Sequence, residues 1–217
     1  MRIHRYADTA LSAATRTELA AYRYDVFVGR LGWDLPCRPG FDQDQFDKAE
    51  AVHLVARTDE GRVVGYARLL PTEGSYLLGD LFPQLLGGHT PPKDALIWEL
   101  SRYAAMDIQQ HGLPGASAAD LLVGKQLLLQ AIRTAAQEGA KRLIFCTTVA
   151  IERLAMRWGV DIQRLGPPVR SEGQLLVAAM IEFTDKTFDA LVPATQTQQP
   201  AAQPVPYTIS ELLRAAA

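Results

Sequence analysis

The run Trp98-Glu99-Leu100-Ser101-Arg102 constrains this chain most, because it sets a carboxylate and a guanidinium inside a stretch apolar enough to be a buried strand. A charge buried without a partner costs several kcal/mol. Earlier in the chain Arg23, Phe27, Trp33, Asp44, Asp47 and Arg68 stand among segments that otherwise call for burial. Arginines and acids interleaved in this way imply an ion network or a site, not a plain apolar core.

The rest of the composition narrows the class. With 217 residues, 48% of them hydrophobic, and a formal charge of -2, the chain can bury a substantial core as one globular domain. That domain is expected over residues 1–192, with a Pro/Gln/Thr-rich tail at 193–217 that reads as flexible before a short helix at 210–217. No run approaches the roughly 18 apolar residues of a membrane span, and residues 1–6 lack the apolar core of a signal peptide, so a cytoplasmic protein that does not enter membranes is expected. Cys37 and Cys146 lie far apart without a CxxC spacing and the four His are scattered, which argues against a disulfide framework and against a metal site.

Charge is uneven along the chain. Residues 34–60 carry seven acids and three bases, about -4, whereas 125–170 carry eight bases and three acids, about +5. The pI near 6.1 and the lack of a basic stripe interleaved with aromatics exclude nucleic acid as a partner.

Periodicity places the elements. Residues 12–30 read as a helix opened by Ser12 and closed near Gly29 or Gly32, with Arg23 and Phe27 one turn apart on one face. Residues 32–50 read as a long surface loop. Runs 51–58 and 62–70 around Asp59-Glu60-Gly61 predict an antiparallel hairpin, with Arg68 near the end of its second strand. A turn of helix is expected within 76–86, a strand over 95–105 and a long helix over 116–138 capped by Gly139. Strands at 143–149, 160–165 and 174–183 and a helix at 151–158 complete the order. Strict alternation in 95–105 puts Glu99 and Ser101 on one face and Trp98, Leu100 and Arg102 on the other. This order predicts an α/β fold, a three-layer α/β/α sandwich with a mixed sheet.

Asp44 and Asp47, three apart in a loop, are a weak signal alone. Glu99 is stronger, since a carboxylate in a strand must be paired or have its pKa raised. It reads equally as a structural partner of Arg23 or Arg68 and as a catalytic group.

Arg23-x-x-x-Phe27, Gly32-Trp33-Asp34, Asp44-x-Phe46-Asp47, Gly65-x-Ala67-Arg68-Leu69-Leu70-Pro71-Thr72, Tyr76-Leu77-Leu78 with Asp80-Leu81-Phe82-Pro83, and Trp98-Glu99-Leu100-Ser101-Arg102-Tyr103 together resemble the acyl-homoserine-lactone autoinducer synthase family over about residues 5–190. The resemblance implies an N-acetyltransferase-like fold with a mostly antiparallel sheet. It implies an enzyme of quorum sensing that joins S-adenosylmethionine to an acyl thioester: the amine attacks the thioester carbonyl, then the carboxylate displaces the sulfonium, closing the lactone and releasing methylthioadenosine. S-adenosylmethionine is consumed, so no resident cofactor is expected.

By the same resemblance Glu99, Asp44 and Arg102 form the catalytic set, Glu99 being the base or water relay that takes the proton of the attacking amine. Arg23, Phe27, Trp33, Asp47 and Arg68 match residues for S-adenosylmethionine, the arginines able to clamp a carboxylate or hold the acids. A backbone N–H after Ser101 is expected to meet the thioester oxygen. Ser101 and Thr147 match acyl-chain positions, a Thr at 147 going with a 3-oxo chain. Lys141, Arg142, Arg153 and Arg157 form a basic patch suited to acyl carrier protein, or to acyl-coenzyme A. The alternative, an enzyme of the same fold that acetylates another amine from acyl-coenzyme A, calls for a Gly-rich pyrophosphate loop, and none stands between Ser101 and Leu121.

Overall fold

The structure, a computed structural model, describes residues 1–110, 117–171 and 173–192. The tail at 193–217 and its expected helix lie outside the described residues. Two compact units emerge, one of residues 1–71 with 100–131, the other of 72–99 with residues from 132 onward.

In the first unit β1 (Arg2–Ala7), β2 (Val52–Arg57) and β3 (Val63–Pro71) pair in order, all antiparallel. The expected hairpin is there: the Thr58 N–H donates to the Arg62 carbonyl at 2.9 Å, and Gly61 turns the chain with φ +89°. β2 and β3 are almost continuously buried, as strands covered on both faces are. β1 was not legible in the sequence, because its polar Arg2, His4 and Arg5 leave no apolar alternation.

Helix α1 (Ala13–Arg23) opens where expected, the Ser12 hydroxyl accepting from the Thr15 N–H at 3.1 Å. It does not run on to Gly29 as an α-helix. A π-helical segment, Tyr24–Arg30, follows, and the Leu31 N–H reaches back five residues to the Val26 carbonyl. Such wide turns are rare and collect at functional sites. Leu19, Tyr22, Val26 and Phe27 from this stretch pack with Val55, Tyr66 and Ala104.

The loop at 32–50 has no helix or strand, as expected, but it is not simply surface: Asp42 and Phe46 within it are buried. Strand β4 (Ile97–Ala105) contributes its second half here. Helix α3 (Ala118–Gln137) starts at a reciprocal cap, the Ser117 hydroxyl accepting from the Asp120 N–H while Asp120 accepts from the Ser117 N–H.

In the second unit Ile97–Glu99 of β4 pair in parallel with β5 (Arg142–Thr148), and β5 pairs antiparallel with β8 (Gln174–Glu182). Short strands β6 (Ile162–Arg164) and β7 (Val169–Ser171) also pair with β8. β7 and helix α5 (Asp185–Leu191) were not anticipated; each is too short for a periodic signal. Helix α2 (Leu77–Leu81) and a 3-10 turn at Pro83–Leu86 occupy the expected helical piece. Gly166 packs on that turn so closely that a Cβ would come within 2.3 Å of the Leu85 carbonyl oxygen. Helix α4 (Val149–Arg157) begins at Thr148, whose hydroxyl accepts from the Ile151 N–H. The α/β class and the mixed, mostly antiparallel sheet are therefore as the sequence indicates. Among the described residues, no helix is long and apolar enough to cross a membrane.

Candidate active site

Three arginines and three aspartates of the first unit interlock. Arg23, at the last turn of α1, donates through Nε and Nη2 to both oxygens of Asp42 at 3.1 and 3.2 Å, and through Nη1 to both oxygens of Asp47 at 2.8 and 2.9 Å. Arg68, on β3, donates to Asp44 at 2.5 and 3.2 Å, to Asp47 at 2.8 Å and to the Ser101 hydroxyl at 3.1 Å. Arg102, on β4, donates to Asp42 at 2.9 Å and pairs with Asp44 at 2.9 Å. Three positive and three negative charges cancel, which is how so many ionised groups can be taken out of water at once.

The loop supplies the acids in a fixed conformation. Its Asp44 N–H donates to Asp47 and its Phe46 N–H to Asp44, both at 2.9 Å, so the side chains tie the backbone that carries them. Each guanidinium also lies over an aromatic ring: Arg23 over Tyr66 at 5.5 Å, Arg68 over Phe46 at 5.7 Å and Arg102 over Phe27 at 5.5 Å from the centroid. Phe27 in turn packs on Trp33 with centroids 4.8 Å apart.

Electrostatics follow the geometry. Burial pushes the Asp42 and Asp47 carboxyls up, but the arginines beside them outweigh it and hold both below the usual carboxylate range. Burial works against the charge of Arg23 and Arg68, and the surrounding acids more than restore it.

The alternation expected of β4 fails at one place. Ser101 and Arg102 are neighbours in the strand, yet both meet the same cluster, Ser101 through Arg68 and Arg102 through Asp42 and Asp44. Arg102 has φ +50°, the one non-glycine residue in the left-handed region among the described residues, and this turns its side chain back toward the face of Ser101. Expectation put Arg102 on the opposite face.

Side-chain exposure grades the cluster from 0% at Arg68 and 1% at Asp42 to 7% at Arg102 and 13% at Asp44. Its open edge is thus Asp44 with Arg102. Asp42 went unrecognised in the sequence although it bridges Arg23 and Arg102; its one signal was its place two residues before Asp44.

The remaining candidates belong to the second unit. Glu99, wholly buried, accepts from the Leu77 N–H at 3.0 Å and the Leu78 N–H at 2.6 Å, so it caps the first turn of α2. Thr147 is half-buried near the end of β5, opposite Val177 of β8. Lys141, Arg153 and Arg157 are exposed, while Arg142 is drawn onto Glu182, its register partner in β8, at 3.0 Å. Among the described residues no three His, Cys, Asp or Glu side chains are grouped to hold a metal ion.

The mixed, mostly antiparallel sheet with its helices is an N-acetyltransferase-like fold, shared with a Lactobacillus plantarum protein described as an N-acetyltransferase at TM-score 0.52 and 18% identity, over 84% of this chain and 98% of that one. The model of the autoinducer synthase family matches residues 8–191. An acyl-homoserine-lactone synthase of Ralstonia solanacearum is 45% identical over 175 residues, covering 80% of this chain and 84% of the relative. The structure of TofI in a ternary complex with an inhibitor and MTA superposes with TM-score 0.77 at 36% identity, over 88% of this chain and 96% of that one. The structure of BjaI, a CoA-dependent acyl-homoserine lactone synthase, with SAM and isopentyl-CoA does so with TM-score 0.76 at 25% identity, over 99% and 98%. The chain belongs to the autoinducer synthase family, and it is an acyltransferase that makes an acyl-homoserine lactone.

Proposed function

We propose that the Arg23–Asp42–Asp44–Asp47–Arg68–Arg102 cluster is where S-adenosylmethionine is held for reaction with an acyl thioester. The observation that carries this reading is the graded cluster, neutral inside and open at Asp44 and Arg102. S-adenosylmethionine brings a carboxylate, an amine and a sulfonium. A carboxylate can share Arg102, and a cationic group can share Asp44, without uncovering the inner pairs. Arg23, Arg68 and Asp47 then serve by holding the edge residues in place, and the Phe27–Trp33 pair offers an aromatic wall to the adenosine. The SAM bound to BjaI and the MTA bound to TofI support this choice of substrate and product.

In the reaction the substrate amine loses its proton and attacks the thioester carbon, and the thiol leaves with a proton. The substrate carboxylate oxygen then attacks the carbon bearing the sulfonium, and the carbon–sulfur electron pair departs with methylthioadenosine. Glu99 takes the amine proton through a water, the role a positioned carboxylate fills for a cationic amine that must be neutral before it attacks. The backbone N–H beyond Ser101, where Arg102 leaves extended geometry, receives the developing oxyanion. Ser101 and Thr147 contact the acyl chain. Lys141, Arg153 and Arg157, with Arg142 partly committed to Glu182, dock an acidic acyl carrier protein in the cytoplasm, where both substrates are made. The reading assigns synthesis to residues 1–192 and needs no resident cofactor.

The test is a purified assay with S-adenosylmethionine and either acyl carrier protein or coenzyme A loaded with the same chain, followed by mass spectrometry of lactone and methylthioadenosine. Equimolar release of both products from the carrier-protein donor supports the full reading. Turnover confined to the coenzyme A thioester removes the carrier protein from it. Lactone formation unaffected by Arg102→Ala and Asp44→Ala removes the cluster.

A further inference from the structure

Behind Arg23 lies a second polar chain that the reaction above does not use. The ring under its guanidinium is Tyr66, wholly buried on β3. The Tyr66 hydroxyl lies 2.6 Å from His53 Nδ1, and His53 Nε2 lies 3.1 Å from Asp8, which Arg16 grips at 2.8 and 3.1 Å. His53 and Asp8 are buried too. Arg16, Arg23, Asp42, Asp47, His53 and Tyr66 together line a recess of about 10 Å3, so relay and ion cluster face the same small space.

The proton positions in this chain follow from its partners. Burial pushes the Asp8 carboxyl up, but Arg16 and His53 hold it below the usual range, so it is ionised and only accepts. His53 Nε2 must then carry the proton that it donates to Asp8. In the neutral ring Nδ1 is left as an acceptor, and Tyr66 donates to it; burial keeps that phenol protonated, pushed up to about 12. A protonated His53 carries hydrogen on both nitrogens, and the Tyr66 hydroxyl loses the acceptor that it donates to.

We propose that Asp8, His53 and Tyr66 are a positioning relay that fixes the aromatic seat of Arg23, and that protonating His53 unseats it and weakens S-adenosylmethionine binding. This rests on the placement of that substrate at the ion cluster. The charged and titratable groups around His53 are its register partners Tyr6 on β1 and Arg68 on β3, together with Asp8 from the turn after β1, Tyr66 from β3, Asp47 from the loop, and Arg16 and Arg23 from α1. Burial, the largest influence on His53, favours the neutral ring.

The experiment is steady-state kinetics from about pH 5.5 to about pH 8 on the wild type, His53→Gln, His53→Leu, Tyr66→Phe and Arg23→Lys, each checked for folding by thermal melting. His53→Leu and Tyr66→Phe are expected to raise the KM for S-adenosylmethionine about five- to tenfold, with the KM for the acyl thioester within about twofold, the scale of one lost hydrogen bond. His53→Gln, whose amide can accept from Tyr66 and donate to Asp8, is expected to stay near the wild type at neutral pH. Its KM should also lack the extra rise toward acid pH that the wild type shows. Parallel pH profiles for the wild type and His53→Gln, or an unchanged KM in folded Tyr66→Phe, overturn the relay; the latter decides the matter if His53→Leu does not fold. An unchanged KM in Arg23→Lys sinks the substrate site itself, and the relay with it, whereas a raised KM there with normal Tyr66→Phe sinks the relay alone.

Discussion

Asp42 and Arg102 meet at 2.9 Å although 60 residues of chain separate them, and the same carboxylate also receives the fork of Arg23 from α1. Asp42 therefore ties the helix, the loop and β4 together at one point. Asp42→Ala leaves two buried guanidinium groups short of a partner, and urea unfolding should show a loss of about 3–5 kcal/mol. A loss under about 1 kcal/mol would mean that the arginines find other partners.

Arg68 and Arg102 differ in exposure, and their lysine variants should differ in kind. A lysine at 68 cannot reach Asp44, Asp47 and Ser101 at once from a fully buried position, so Arg68→Lys should lower the melting temperature strongly. Arg102→Lys, at the open edge, should fold well and raise the KM for S-adenosylmethionine by about tenfold or more, the scale of a lost bidentate pair. Equal destabilisation by the two would contradict the grading.

Glu99→Gln keeps the size of the side chain and one acceptor oxygen for the start of α2. It should remain folded with about 1 kcal/mol lost, while lactone formation slows by at least about 100-fold. Single-turnover kinetics separate the amide step from product release, and undiminished amide formation in a folded variant leaves Glu99 only its structural role.

Acid should unfold the protein in two stages. His53 is held neutral by burial, its pKa below the ordinary 6.5, so the unfolded chain binds a proton that the native state refuses: stability is full above about 6.5 and declines as pH falls below it. Asp8, Asp42 and Asp47 have lowered pKa values, so the stability they add is fully present above their ordinary 3.8, and it is lost as pH falls below that value and on through the lowered native ones. Melting temperatures across this range check the sign, and His53→Gln should erase the upper stage alone.

Arg153 and Arg157 stand exposed one turn apart on α4. Reversing both charges should raise the KM for an acyl carrier protein donor about tenfold or more at low salt and leave the KM for S-adenosylmethionine unchanged. If salt has no effect on the wild-type KM, the patch is not the docking surface.

Local patterning was sufficient for much of the fold. The Ser12 cap, the β2–β3 hairpin around Gly61, α3 with its glycine stop and the β5–α4 unit are written in spacings of two to four residues, which is the range over which caps, turns and amphipathic faces act. The short or polar pieces β1, β7 and α5 carried no such period and exist through pairing and packing. The sequence also named five of the six cluster residues, since arginines and acids set in apolar surroundings must find one another.

What it could not name was the pairing. Asp42 looked like any loop acid, and only the close approach of Arg23 and Arg102 sets it apart. Nothing in the spacing showed that Glu99 caps α2, twenty-odd residues before it in the chain. Arg102 abandons strand alternation for φ +50°, a strain of roughly 1–3 kcal/mol that the bonds to Asp42 and Asp44 hold in place. The sequence by itself determined which charged groups had to be satisfied inside the protein. Tertiary structure decided by whom, because these partners lie 19 to 60 residues apart and meet only when the strands and the loop have closed around them.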